Sequence, residues 1–202
     1  MKKLISLLLA ALMVMGCTAA FAEGNISVAN NDGPFPISYE LKEGSEVVYD
    51  GWSEILGTNM YQASIKGTNG LSYYFSVSAP VAAEGEESEE VSTEPVTYNE
   101  ANGYTDELLK AQMKDAFSEE FASVEVDVLT TAYGTKLAVM RFNDVDGSLV
   151  YMYTVYKGYE VGLTVVSQDE EGNFKDITDE QLQDVVDFVS ELWMGEEAKY
   201  AE

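Results

Sequence analysis

Two acidic turns are the segments of this sequence that come closest to a metal-binding motif. The first, Asn143–Gly147, has the alternating acidic residues and the glycine found at the start of a calcium-binding EF-hand loop. That loop also needs an oxygen ligand at its first position and a glutamate at its last, where this chain has Phe142 and Tyr153. The second turn, Asp169–Asn173, fails at the same two positions. The pattern therefore predicts hairpin turns and no metal site, with a weak site shared by both tips as the alternative.

Histidine and cysteine, the side chains most often used for catalysis near neutral pH, are almost missing. The sequence contains no histidine and one cysteine, Cys17. These counts exclude Ser-His-Asp and Cys-His mechanisms, and no glycine motif for phosphate or dinucleotide binding occurs. The 36 acidic residues offer so many pairs that none stands out as the pair of a glycosidase. We therefore predict no catalytic residue and no cofactor, and keep a carboxylate-based hydrolase of an extracellular polymer as an alternative.

Aromatic residues are the best candidates for contact with a ligand. The chain has 13 tyrosines, and Tyr151 and Tyr153 fall on one face of a predicted strand because side chains alternate along strands. Trp52 follows an earlier predicted strand. An exposed aromatic face can stack on sugars or on apolar groups of a protein partner, so these three residues are the predicted ligand-binding residues. The alternative is that tyrosine occupies half-buried strand positions for packing alone.

Eight strands and two helices are predicted to position these residues. Thr105 can cap the first helix, whose apolar stripe ends at Phe121. Thr178 and Gln181 have the spacing of a capping box at the start of the second helix, and Gly195 fits its C-terminal stop. The strands show alternating or β-branched patterns bounded by turn residues, and they cover Ile37–Leu41, Glu46–Tyr49, Met60–Ile65, Leu71–Val77, Val124–Thr131, Lys136–Phe142, Leu149–Tyr156 and Tyr159–Ser167.

The order of these elements predicts a single α+β domain with an antiparallel sheet and two amphipathic helices. The domain spans 37–195, and its helices lie either on one face of the sheet or on both. Residues 23–36 are rich in Asn, Gly and Pro and are expected to form a flexible tether, and 196–202 a C-terminal tail. The acidic segment 81–102 lacks apolar periodicity and is predicted to be a mobile loop, with cation binding as the alternative.

The N-terminal residues have the features of a secretory signal peptide over 1–22. Two lysines precede an apolar run, Leu4–Met15, which is too short to span a bilayer but has the length of a signal core. Small residues at Ala20 and Ala22 predict cleavage after Ala22, which gives a secreted or extracytoplasmic chain. The alternative is a lipobox around Cys17, which would then be lipidated and anchor the protein to the envelope.

The net charge of −25 narrows the range of expected partners. Nucleic acid and anionic membranes repel a strongly acidic chain, so neither is expected as a partner. No further apolar stretch is long enough to cross a membrane, so the mature chain is predicted to have no transmembrane segment. The expected partner is a protein or small-molecule ligand of unknown identity.

The arrangement from Ile37 to Met194 resembles the PsbP/Mog1-like fold family, which includes small bacterial exported proteins and lipoproteins. The likeness lies in the Gly-Trp of Val48–Trp52 after an early strand, in the helix Thr105–Phe121 before the main strands, and in the closing helix Ile177–Met194. The acidic segment 81–102 and the several strands before it depart from the family pattern. The resemblance implies a three-layer α/β/α sandwich and a non-enzymatic binding or accessory role. A structural subunit of a surface assembly is a further alternative.

Overall fold

The structure is a computed structural model that describes residues 26–55, 58–79, 96–117, 124–131, 133–144 and 147–195. The predicted leader with Cys17 and Ala22, most of the acidic segment and the C-terminal tail lie outside these residues. In chain order the elements are β1 (Ile26–Asn30), β2 (Ile37–Leu41), β3 (Glu46–Ile55), β4 (Thr58–Lys66), β5 (Leu71–Ser78), α1 (Asp106–Phe117), β6 (Val124–Thr130), β7 (Lys136–Asp144), β8 (Gly147–Tyr156), β9 (Tyr159–Gln168), β10 (Phe174–Lys175), α2 (Asp179–Ser190) and β11 (Trp193–Met194).

Most of the strands form one antiparallel sheet in the order β3-β4-β5-β9-β8-β7-β6, with β10 paired to the end of β9. This sheet consists of two meanders, β3-β4-β5 and β6-β7-β8-β9, which are joined where β5 pairs with β9. Short turns connect the strands within each meander, and such turns require antiparallel neighbours. The predicted α+β fold with an antiparallel sheet and two helices is confirmed for the described residues.

A second, smaller sheet has the order β1-β2-β11. Its strand β1 lies within 23–36, where composition predicts a tether, and it pairs with all five residues of β2. Phe35, in the turn between them, is only 4% exposed, and its ring lies 5.1 Å from that of Tyr156 and 5.9 Å from that of Trp52. A short strand and one buried aromatic residue therefore tie this asparagine- and glycine-rich stretch to the domain.

One face of the large sheet, here called the core face, carries the main hydrophobic core. Along β5 every second side chain is buried on this face, from Leu71 to Val77. The small sheet and α2 contribute further buried side chains to the same cluster, including Ile37, Tyr39 and Phe188. Because side chains alternate along the strands, the apolar ones on this face all point towards the small sheet and α2.

The opposite face, here called the outer face, is most strongly apolar where α1 lies over it. Met113 and Phe117 of α1 pack on Ala138, Met140 and Phe142 of β7, whereas the alternate β7 residue Leu137 belongs to the core cluster. The two helices therefore lie on opposite faces of the sheet. The Thr105 hydroxyl accepts a hydrogen bond from the Leu108 N–H at 3.2 Å, which confirms the predicted cap of α1.

The start of α2 matches its prediction, whereas its end does not. Thr178 and Gln181 form both reciprocal hydrogen bonds of a capping box. The helix ends at Ser190 with Glu191 as its cap, so the predicted stop at Gly195 is wrong. The chain leaves the helix early because β11 (Trp193–Met194) pairs with β2.

Candidate functional site

The outer face of β3, β4, β5 and β9, together with Tyr151 and Tyr153 of the adjoining β8, is lined mainly by polar and aromatic side chains. We call this surface the polar face. Of the described helices, α1 reaches this surface at its β8 edge, where the ring of Phe117 lies 6.1 Å from that of Tyr151. Strand register aligns its side chains in rows that run across the strands. One row contains Tyr49, Ser64, Tyr74, Thr164 and Tyr151, and the next contains Gly51, Gln62, Ser76, Gly162 and Tyr153.

The first of these rows, here called the tyrosine row, holds a tyrosine on every second strand. Tyr49 lies on β3, Tyr74 on β5 and Tyr151 on β8, and all three side chains are half-buried. Neighbouring strands lie ~4.8 Å apart, so successive tyrosines are separated by about 10 Å and the whole row spans about 19 Å. Hydroxyl-bearing Ser64 and Thr164 fill the positions between them.

Glycines in the second row allow two of the tyrosines to lie along the sheet. A Cβ atom on Gly51 would lie 3.4 Å from the hydroxyl oxygen of Tyr49. A Cβ atom on Gly162 would lie 3.0 Å from the hydroxyl oxygen of Tyr151 and 3.3 Å from that of Ser76. The hydroxyl end of each ring therefore lies over a position without a side chain.

Charged side chains border the two rows but do not enter them. At one end Lys66 and Glu46 form an ion pair of 3.1 Å. At the other end Glu160 accepts a hydrogen bond of 3.2 Å from the Tyr153 hydroxyl. The rows themselves contain only hydroxyl, amide, aromatic and glycine residues. The two rows thus form an uncharged strip on a chain of net charge −25.

An aromatic cluster borders the polar face on the side of β8. The ring of Tyr98 stacks on Tyr104 with centroids 4.1 Å apart and lies 6.2 Å from the ring of Tyr153. Burial raises the pKa of Tyr151 to about 12, and burial followed by Glu160 raises that of Tyr153 further. Both phenols therefore stay protonated and can donate hydrogen bonds at neutral pH.

The described end of the acidic segment bridges the ends of β7 and β8. The Tyr98 N–H donates to the Val155 carbonyl at 2.9 Å, and the Tyr98 carbonyl accepts from the Lys136 N–H at 2.7 Å. Residues 96–102, the described end of the predicted mobile loop, are thus hydrogen-bonded to the sheet. They hold Tyr98 beside Tyr153.

The predicted ligand-binding residues lie on both faces of the sheet. Tyr151 and Tyr153 share the outer face, as strand alternation predicts. Trp52 lies on the core face, where its ring packs at 5.6 Å from Tyr61 and against the backbone of Gly33. The structure therefore brings the two tyrosines together and places Trp52 within the packing between the two sheets.

The sequence did not predict the other four residues of the tyrosine row as ligand-binding residues. They are Tyr49, Ser64, Tyr74 and Thr164. The alternation of Leu71–Val77, with smaller or polar residues at 72, 74 and 76, does indicate a strand with one solvated face. It does not indicate which strands lie beside it, because β5 and β9 are about 90 residues apart in the chain.

A small acidic cavity of about 170 Å³ lies between α2 and the turns that follow β2 and β4. Asp184 in this cavity accepts hydrogen bonds from Lys42 and Asn69. Burial raises the pKa of Asp184, but these hydrogen bonds outweigh burial and hold it below its usual range. A carboxyl group held ionised in this way does not suit the general acid of a glycosidase, which needs a raised pKa.

The acidic turns show no metal-binding geometry in the part of the chain that the structure describes. The Asp169 carboxylate accepts hydrogen bonds from the Glu171 and Asn173 N–H groups, and the Asn173 hydrogen bonds lower its pKa to about 2. Residues 145–146 of the other turn lie outside the described residues. No group of three or more acidic, histidine or cysteine side chains within the described ranges could hold a metal ion.

Comparisons with known proteins add no family to these observations. No protein-family model, curated protein or solved structure matches the chain significantly. Within the described ranges, neither helix combines the length and the apolar character needed to cross a membrane. The fold and the polar face are therefore the basis for a functional proposal.

Proposed function

We propose that this chain is an exported, non-enzymatic binding or accessory domain of the cell envelope, and that the polar face is its ligand-binding surface. The observation that carries the proposal is the contrast within the outer face. Where α1 lies over it, the sheet presents Ala138, Met140 and Phe142. Beyond α1 the two rows present hydroxyl, amide and half-buried aromatic groups, the composition typical of surfaces that bind ligands by stacking and hydrogen bonding.

The chemistry of the acidic groups supports binding rather than hydrolysis. A carboxylate-based hydrolase needs two carboxyl groups across a cleft, one of them with a raised pKa. In the acidic cavity the pKa of Asp184 is lowered. Asp50 has a raised pKa, caused first by burial, but it lies between the two sheets beside Tyr61. Neither residue is placed to act as the acid of such a pair.

We further propose that the domain is PsbP/Mog1-like and that its layers form an α/β/α sandwich. The positions of the helices support this, because α1 contacts the outer face of β7 while α2 packs on the core face. The single arginine, Arg141, fixes α2 to β7 by donating a hydrogen bond of 2.6 Å to the Ile177 carbonyl. In this proposal the small sheet is an addition to the layer that contains α2.

Photo-crosslinking in the protein's own cells tests the binding surface. A benzoylphenylalanine at position 64 lies between Tyr49 and Tyr74 in the tyrosine row and should form an adduct with the bound component on illumination. The same residue at position 133 is a matched control, because Tyr133 is 37% exposed in the turn between β6 and β7. Equal adduct yields at both positions, or no adduct at either, would contradict the proposed surface.

A further inference from the structure

We infer that the ligand of the polar face is an uncharged glycan chain that lies across the strands along the tyrosine row. This inference rests on the proposed function and names the class of ligand that the same surface takes. Three properties of the row support it: its charge, the position of its rings over glycines and its spacing.

The charge of the row is complementary to an uncharged ligand. Tyr49, Ser64, Tyr74, Thr164 and Tyr151 carry no formal charge at neutral pH, although the whole chain carries −25. An anionic polymer would be repelled by the surrounding acidic surface. A cationic ligand would gain most from the carboxylates, and these lie outside the row. A neutral polyhydroxylated chain is neither repelled nor drawn away from the row.

The position of the rings suits stacking against sugars. The hydroxyl ends of Tyr49 and Tyr151 lie over Gly51 and Gly162, so no side chain of those two positions covers the rings. The faces of pyranose rings carry C–H groups, which pack against the negative face of an aromatic ring. Burying such a face against tyrosine leaves the equatorial hydroxyls of the sugar directed along the surface.

The groups between the tyrosines are suited to those hydroxyls. Ser64 and Thr164 flank Tyr74 on β4 and β9, and their hydroxyls enter no hydrogen bond within the described part of the chain. Each can both donate and accept. Gln62 in the neighbouring row adds an amide, and successive tyrosines lie about 10 Å apart, close to the length of a disaccharide unit in an extended chain.

The test is nuclear magnetic resonance titration of the mature chain with neutral hexasaccharides of the cello, malto, manno and chito series. We expect shift changes at β4, β5 and β9 with at least one of them at millimolar concentration. Oligogalacturonate, which is anionic, should cause none. Because the ligand is uncharged, its Kd should stay within about twofold when the salt concentration rises from about 0.05 to 0.5 M.

Variants of the tyrosine row separate binding from folding. Tyr74→Ala should raise Kd about tenfold through the loss of one stacked ring, whereas Tyr74→Phe keeps the ring and should change Kd by less than about threefold. Tyr133→Ala, outside the polar face, is the control and should leave Kd unchanged. Melting temperatures of all variants show whether a loss of binding reflects unfolding.

Each outcome of these experiments bears on the inference. Absence of shifts at the polar face with every neutral hexasaccharide overturns it, and so does a Tyr74→Ala variant that is folded and binds normally. A position-64 adduct that contains only polypeptide overturns the glycan inference but leaves the proposed binding function standing. Failure of position 64 to exceed the position-133 control overturns both.

Discussion

Asp50 of β3 accepts a hydrogen bond from Tyr61 of the neighbouring strand β4 on the core face of the large sheet, and its replacement tests how this face is stabilised. Its carboxylate accepts a hydrogen bond from the hydroxyl of Tyr61, which is fully buried, and the hydroxyl of Tyr39 lies next to both groups. Burial raises the pKa of Asp50, and the hydrogen bond from Tyr61 only partly opposes this. The net effect of the site is therefore to disfavour the charged form.

The direction of the pH dependence follows from this raised pKa. An acid with a higher pKa in the folded chain binds its proton more tightly there than in the unfolded chain. The contribution of Asp50 to the free energy of unfolding is most favourable below the ordinary aspartate pKa of 3.8. It decreases as the pH rises through the folded pKa, and at neutral pH the ionised group lowers the free energy of unfolding.

Two substitutions of Asp50 should therefore have opposite effects. Asp50→Asn removes the charge but keeps an acceptor for Tyr61, so at about pH 7 the variant should be at least as stable as the parent. The difference in the free energy of unfolding between this variant and the parent should disappear at about pH 4. Asp50→Ala leaves the buried Tyr61 hydroxyl without its acceptor and should cost ~1–3 kcal/mol. With a urea m-value of ~2 kcal/mol/M, the midpoint should fall by about 1 M.

Urea denaturation followed by circular dichroism at both pH values measures these changes. Asp176→Asn, at an exposed position, is the matched control and should shift the free energy of unfolding by less than ~0.5 kcal/mol. If Asp50→Asn destabilises the chain at neutral pH as much as Asp50→Ala does, the ionised carboxylate is itself required. The hydrogen bonds would then outweigh burial, and the reasoning given for the raised pKa would be refuted.

Three further predictions concern capping, packing and export. Thr178→Ala removes the cap of α2 and should lower the free energy of unfolding by ~1 kcal/mol in urea denaturation; no change would contradict the capping role. Phe35→Ala should cost ~3–5 kcal/mol and shift the tryptophan fluorescence, because Trp52 packs on that ring; an unchanged midpoint would refute this. The chain purified from its own cells should begin at Glu23 by intact mass, whereas a diacylated Cys17 would show lipoprotein processing.

Elements specified by neighbouring residues could be predicted from the sequence, and those specified by distant pairing could not. The capping box at Thr178 needs only residues that are three apart, and it forms as predicted. The end of α2 instead depends on the pairing of Met194 with Ile37 of β2, a contact between opposite ends of the domain. The strand Ile26–Asn30 could not be predicted, because the asparagines and glycines around it are typical of loops. Its pairing with β2 determines its conformation more than its own composition does.

The polar face depends on one such distant pairing, the register between β5 and β9. Tyr74 lies opposite Thr164, and this pairing aligns Tyr49 of the first meander with Tyr151 of the second. A slip of one residue would turn the side chains of one meander to the other face. A slip of two would keep the faces but displace the tyrosines by ~7 Å along the strands. The alternation of each strand can therefore be predicted from the sequence, but the tyrosine row exists only once the two meanders have paired.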